Sequence, residues 1–209
     1  MSRKSLIAIA LLYVLLYTFP EVFPKLHANA YETLEYEVQS EEEVTSSNMQ
    51  PMPQLEKAIR NHPALQEALE LAENSGILES LRHNSLPPPI TLFLPSNEAV
   101  SAISKENKDF LLKEENRDIL DSLMLFSALD FEISYEEIKR GAYKKQDSII
   151  TLLSEGISIS EDGELCASSG QDCVQIIDHV EVPGDGSVFV INSILYPSEV
   201  LDLLPVRLE

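Results

Sequence analysis

Midway along the chain the spacing of its apolar residues changes, and that change restricts the possible folds more than any other feature. Up to Phe126 they recur every three or four positions: Leu55, Ile59, Leu65, Leu69 and Leu71, then Phe110, Leu111, Ile119, Leu120, Leu123, Leu125 and Phe126. That is the period of amphipathic helices. Pro63 stands where a first helical turn tolerates proline and Gly76 where a helix can end. Ser134 and Glu137 form a capping box ahead of a short helix that stops at Gly141. Beyond Gly141 the pattern becomes that of strands, over Ile149 to Leu153, Ile157 to Ile159, Cys173 to Val182 and Ser187 to Ile194. Glu155-Gly156, Asp162-Gly163 and Pro183-Gly184-Asp185-Gly186 punctuate them as turns. One β-prone run comes early, Ile90 to Leu94, between three prolines and Pro95. Helices first, with late strands pairing antiparallel at short range and closing beside that early strand, define an α+β domain.

The first thirty residues stand apart. Arg3 and Lys4 precede the apolar run Leu6 to Phe19, and Ala28-Asn29-Ala30 supplies small residues of the kind a signal peptidase accepts. Fourteen apolar residues make about 21 Å of helix against roughly 30 Å of hydrocarbon. Residues 1–30 are therefore expected to be a cleaved secretory signal, with an uncleaved anchor as the alternative. Without them the net charge moves from −20 to −22, because Arg3, Lys4, Lys25 and Glu21 are lost. Residues 31–50 carry six Glu and no Lys or Arg, and are expected to form a flexible acidic lead. The folded domain is expected over 51–199, followed by a tail over 200–209. No stable membrane span is expected after cleavage, and no Asn-x-Ser/Thr site for N-linked sugar occurs.

Charge excludes one class of partner. With 35 acidic against 15 basic residues, a phosphate backbone would be repelled, so nucleic acid is not expected. Catalytic signatures are missing too. His62, His83 and His179 fall in no H-E-x-x-H arrangement, and no nucleophile elbow, phosphate loop, dinucleotide fingerprint or EF-hand loop is present. The expectation is a non-enzymatic protein without metal or cofactor. Cys166 and Cys173 are the two cysteines. An oxidising compartment predicts a disulfide between them; paired thiols for metal binding or catalysis would need partners that the sequence does not supply.

Two strings then resemble a known family. Thr91-Leu92-Phe93-Leu94-Pro95-Ser96-Asn97-Glu98-Ala99-Val100 is similar to the first signature of the fasciclin domain. Gly186-Ser187-Val188-Phe189-Val190-Ile191-Asn192-Ser193-Ile194-Leu195-Tyr196-Pro197 is similar to the second. The resemblance covers roughly Pro51 to Pro197. It implies a fasciclin-like wedge of antiparallel strands packed with several short helices, exported and used for adhesion or matrix contact. The partner it implies is an extracellular protein or polysaccharide, with weak self-association to compensate for a single copy. The alternative is an acidic structural component of a matrix or wall that associates weakly with carbohydrate or Ca²⁺ through runs such as Glu41 to Glu43.

The signatures themselves read as architecture, since Ser96 or Asn97 can cap the following helix and Pro95 ends a strand. Departures from the family bear more on function. Receptor-binding members carry a Tyr-His pair at the end of the helix between the signatures, and the matching positions here are Phe126 and Ser127. Neither the hydroxyl nor the imidazole is present, which weakens the implied contact. An Asp-Ile adhesive pair has an imperfect counterpart in Ile177-Asp178-His179-Val180. Phe126, Ser127, Asp178 and His179 are the candidate partner-binding residues. Asn116-Arg117-Asp118-Ile119-Leu120 matches as text but falls in the helical middle.

Overall fold

The computed structural model of the protein describes residues 52–83, 85–86, 88–143, 148–168, 171 and 173–207. The expected signal over 1–30 and acidic lead over 31–50 lie outside the described residues. Helices α1 (Pro53–Asn61), α2 (Gln66–Asn74) and α3 (Ile77–Arg82) come first, with a 3₁₀ turn at Pro63–Leu65. Strand β1 (Ile90–Pro95) leads into α4 (Asn97–Ser101), α5 (Lys105–Leu111) and α6 (Arg117–Phe126). Then follow β2 (Ala128–Leu129), α7 (Tyr135–Lys139), β3 (Ile149–Ile150), β4 (Gly156–Ile159) and β5 (Leu165–Ala167). Strands β6 (Ile176–Val182) and β7 (Gly186–Ile191) and helix α8 (Ser198–Leu203) complete the order. The fold is α+β.

Two sheets form, one in the order β2-β1-β7-β6 and one in the order β3-β4-β5. The early and late strands do lie side by side: Leu92 faces Val188, Phe93 faces Phe189 and Leu94 faces Val190. They run parallel, whereas β1–β2, β6–β7 and the three-stranded sheet pair antiparallel. A parallel pair covered on both faces needs an unbroken apolar run, and every residue of β1 and β7 is buried. Alternation across the sheet then divides the core. Leu92, Leu94, Val188 and Val190 meet the helices in one cluster with Leu55, Ile59, Leu71, Leu78 and Leu120. Phe93, Phe189 and Ile191 point the other way, onto Ile149, Ile157, Ile159 and Leu165 of the smaller sheet.

Long-range hydrogen bonds fix the helices to this frame. Met52 precedes α1 with no capping side chain, and the Asp185 carboxylate, 131 residues on, accepts from the N–H groups of Gln54 and Leu55 at 3.1 Å each. The same residue's carbonyl accepts from the Ile90 N–H, so one turn anchors α1 and β1 together. Ser96 caps α4 by accepting from the Ala99 N–H. Asn97 instead bridges to the earlier helices, where its side chain accepts from Glu67 N–H at 2.9 Å and donates to the Pro63 carbonyl at 2.8 Å. Glu56 binds Arg60 and Arg82 together, tying α1 to α3.

Several expectations need correction. Gly76 does more than follow a helix end: it comes directly after Ser75, the C-cap residue of α2, and also opens α3, giving its N–H to Asp121 at 2.8 Å. The strand expected from Cys173 starts at Ile176, with Val174 held by an isolated bridge to Leu165. The strand expected over Ile149 to Leu153 stops at Ile150, where Thr151 and Glu155 close a turn. Residues 200–207, expected within a tail, pack on the body. Val200 and Leu204 are buried, and the Asn107 side chain both donates to Val206 O and accepts from Val206 N–H.

Candidate interaction surface

The two aromatic-and-polar positions at the end of α6 lead inward. Phe126 is 0% exposed, within the cluster of Phe93 and Phe189. Ser127 is buried as well, and its carbonyl accepts from the Phe93 N–H at 2.8 Å. As folded, neither offers a surface to a partner, because the chain turns at once into β2 and pairs with β1. Asn116 to Leu120 lies on α6 and the turn before it, with Leu120 buried.

Asp178 and His179 lie on β6, the last strand of its sheet, and they are accessible. Opposite residues share a face, so His179 follows Phe189 and Glu181 follows Ser187 onto the side away from the helical core. His179 stacks on Tyr135 with ring centroids 4.1 Å apart, and lies 6.3 Å from Phe189, which in turn stacks on Phe93 at 5.5 Å. Tyr135 is held at the first turn of α7 by the Ser134–Glu137 capping box, and its N–H donates to Glu181 at 2.8 Å. Lys139 Nζ lies 4.4 Å from the Tyr135 ring. Asp178 faces the other side, 3.4 Å from Nε2 of His62, whose Nδ1 accepts from Ala64 N–H.

One more segment completes this rim. Thr91, on the same cross-strand row as Ser187 and Glu181, donates to the Phe131 carbonyl and accepts from Ile133 N–H, both at 2.8 Å. Ser187 donates to Glu132 at 3.2 Å. Phe131 thereby projects at the rim, 36% exposed between Asp130 and Glu132. Sequence reasoning missed Phe131, Glu132, Tyr135 and Glu181. The signal for Phe131 was legible, since a lone aromatic flanked by two acids is a surface pattern. Nothing in the sequence places Tyr135 against His179.

The cysteines form the expected disulfide, joining β5 to the approach to β6. Inside that loop the Gln171 side chain donates to the Ile194 carbonyl and accepts from the Tyr196 N–H. Burial pushes the Tyr196 phenol up to about 12. Among the described residues no group of three or more His, Cys, Asp or Glu is placed to hold a metal ion, and no helix is long and apolar enough to cross a membrane.

The architecture defines a class, and comparison with known proteins agrees. The model of the fasciclin domain matches residues 63–197, and the chain belongs to that family. It is similar to stabilin-2 of Mus musculus, 26% identical over 141 residues, which are 66% of this chain and 5% of the relative. Stabilin-2 of Rattus norvegicus is 35% identical over 60 residues, 29% of this chain and 4% of the relative. The chain thus spans a small fraction of the length of these relatives. Among solved structures, a fasciclin domain pair from the insect cell adhesion molecule fasciclin I has 19% identity and a TM-score of 0.47, covering 63% of this chain and 45% of that one.

Proposed function

We propose that the protein is a secreted, non-catalytic interaction module that adheres to another extracellular macromolecule, protein or polysaccharide, through its surface. One observation carries the reading: the strand parts of the family's two signature strings are consumed by the core, as β1 and β7, while a rim of aromatic and charged groups stays accessible beside them. Such a surface suits binding rather than turnover. The Cys166–Cys173 disulfide supports an oxidising destination. Membership of the fasciclin family supports adhesion. Asp178 and His179 remain the contact residues proposed from the sequence, whereas Phe126 and Ser127 are buried. The test is retention of purified full chain on cell or matrix layers at micromolar concentration. Saturable retention is expected, and none at all refutes the reading.

The strong negative charge favours a second reading, an acidic structural component that gathers Ca²⁺ or carbohydrate weakly without a receptor. A calcium titration of the full chain, and of a chain lacking residues 31–50, separates them: no binding at millimolar Ca²⁺ removes the second. Weak self-association by strand addition at β6 is disfavoured by the irregular register between Ile176 and Asp178 and by the exposed Asp178 and Glu181. Sedimentation velocity checks this, with a monomer expected.

A further inference from the structure

We propose that the rim of Phe131, Glu132, Tyr135, His179 and Glu181 docks a Lys- and Arg-rich segment of a partner protein; this deepens the interaction-module reading and rests on it. Its parts are tied together: Glu132 to the buried Ser187, Ser187 opposite Glu181 in the sheet register, Glu181 to the Tyr135 N–H, and Tyr135 to His179. It joins the free side of the last strand to a connection that is anchored at both ends by Thr91. Rigid aromatic groups are the usual anchors of a protein contact, and Phe131 and Tyr135 are the aromatic side chains this rim offers. Around them lie the carboxylates of Asp130, Glu132, Glu136 and Glu181, all at least partly exposed.

Charge complementarity selects the occupant. Among the described residues the cations on this rim are Lys139 and Arg140; Lys139 is engaged with Glu136 at 3.9 Å and with the Tyr135 ring, and Arg140 donates to the Glu136 carbonyl. The remaining field is negative, so a cationic chain is attracted and oriented. A sulfated polysaccharide or a second copy of this chain, which carries a net charge of −20, is repelled. The exposed Phe131 ring asks in addition for an apolar or guanidinium group, which an arginine side chain supplies by stacking.

The experiment titrates the full chain with a labelled Arg/Leu peptide, following amide shifts and anisotropy, with heparin as the polyanion control. Saturable binding is expected, with shifts confined to residues 130–136 and 178–181. D130K/E136K and, separately, Phe131→Ala each weaken binding about tenfold. E114K/E115K, the same charge change on an exposed turn elsewhere, leaves it within about twofold. Thermal melts of all variants secure the comparison, and Phe131→Ala keeps the test open should the double reversal misfold. Equal loss in both charge pairs, shifts spread over the whole acidic surface, or heparin binding at the rim each overturn the proposal. Adhesion is scored apart: D130K/E136K that loses the peptide yet adheres like wild type refutes the rim and spares the module. Wild type that binds peptide at the rim but never adheres refutes the module.

Discussion

Gly186 begins β7 at φ 131°, and a methyl group there would sit 1.9 Å from the Ile90 carbonyl oxygen. Only glycine adopts that backbone region without strain and allows β1 to come so close. Gly186→Ala should therefore destabilise the fold by more than about 3 kcal/mol, read as a shift in urea midpoint, because backbone rather than a flexible side chain must give way. A near-neutral outcome would mean that β1 and β7 are not in contact at that end. Charge at single residues sets the pH limits. The hydrogen bond from Arg82, then Arg60, holds the Glu56 carboxyl below its ordinary value near 4.5, and the Ser134 N–H does the same for Glu137. Their contribution is present above the unfolded value and lost as pH falls through the folded one. Glu56→Gln should flatten the acid limb of stability below about pH 4.5, measured by denaturant midpoints at stepped pH. At the alkaline end the sign reverses: the unfolded chain ionises Tyr196 near 10 and the folded one near 12, so stability falls as pH rises across that window.

Elements show how much of this molecule is legible in its sequence. The runs Ile90 to Leu94 and Ser187 to Ile194 announce buried strands, although the second stops at Ile191 rather than Ile194, and Ser134 with Glu137 announces the start of α7, because those signals are local. Strand β2, two residues long, carries no signal of its own; Ala128 and Leu129 are extended because β1 lies beside them. The cap of α1 is invisible for the same reason, since its acceptor sits 131 residues away. Likewise the rim unites Phe131, Tyr135 and His179 only through sheet register, so isolated strings point to Phe126 and Ser127, which the core absorbs. Asp185→Ala should cost about 1 kcal/mol and speed amide exchange in α1 ahead of the sheet. Exchange rising equally everywhere would deny Asp185 that role. Replacing both cysteines by Ser should cost about 2 to 3 kcal/mol and loosen Ile194 to Tyr196 through Gln171, seen by calorimetry and exchange. An unchanged melting temperature would show the loop to be held by the Leu165–Val174 bridge alone.

At the scale of the whole molecule, the described body is a sandwich of helices, a four-stranded sheet and a three-stranded sheet, closed by pairing its early strand with its last. That closure carries the functional surface with it. Thr91 on β1 holds the Phe131 segment, and Ser187 and Phe189 on β7 hold the row that ends at His179 and Glu181. The proposed partner surface consequently exists only if β1 and β7 are neighbours in the stated register. The most direct measurement is a set of nuclear Overhauser contacts between the backbones of residues 92–94 and 188–190 in isotopically labelled full chain. Parallel order is expected, with Leu92, Phe93 and Leu94 beside Val188, Phe189 and Val190 in ascending sequence. Contacts in descending order, or a folded sheet in which these two segments share none, would contradict both the closure and the surface built upon it.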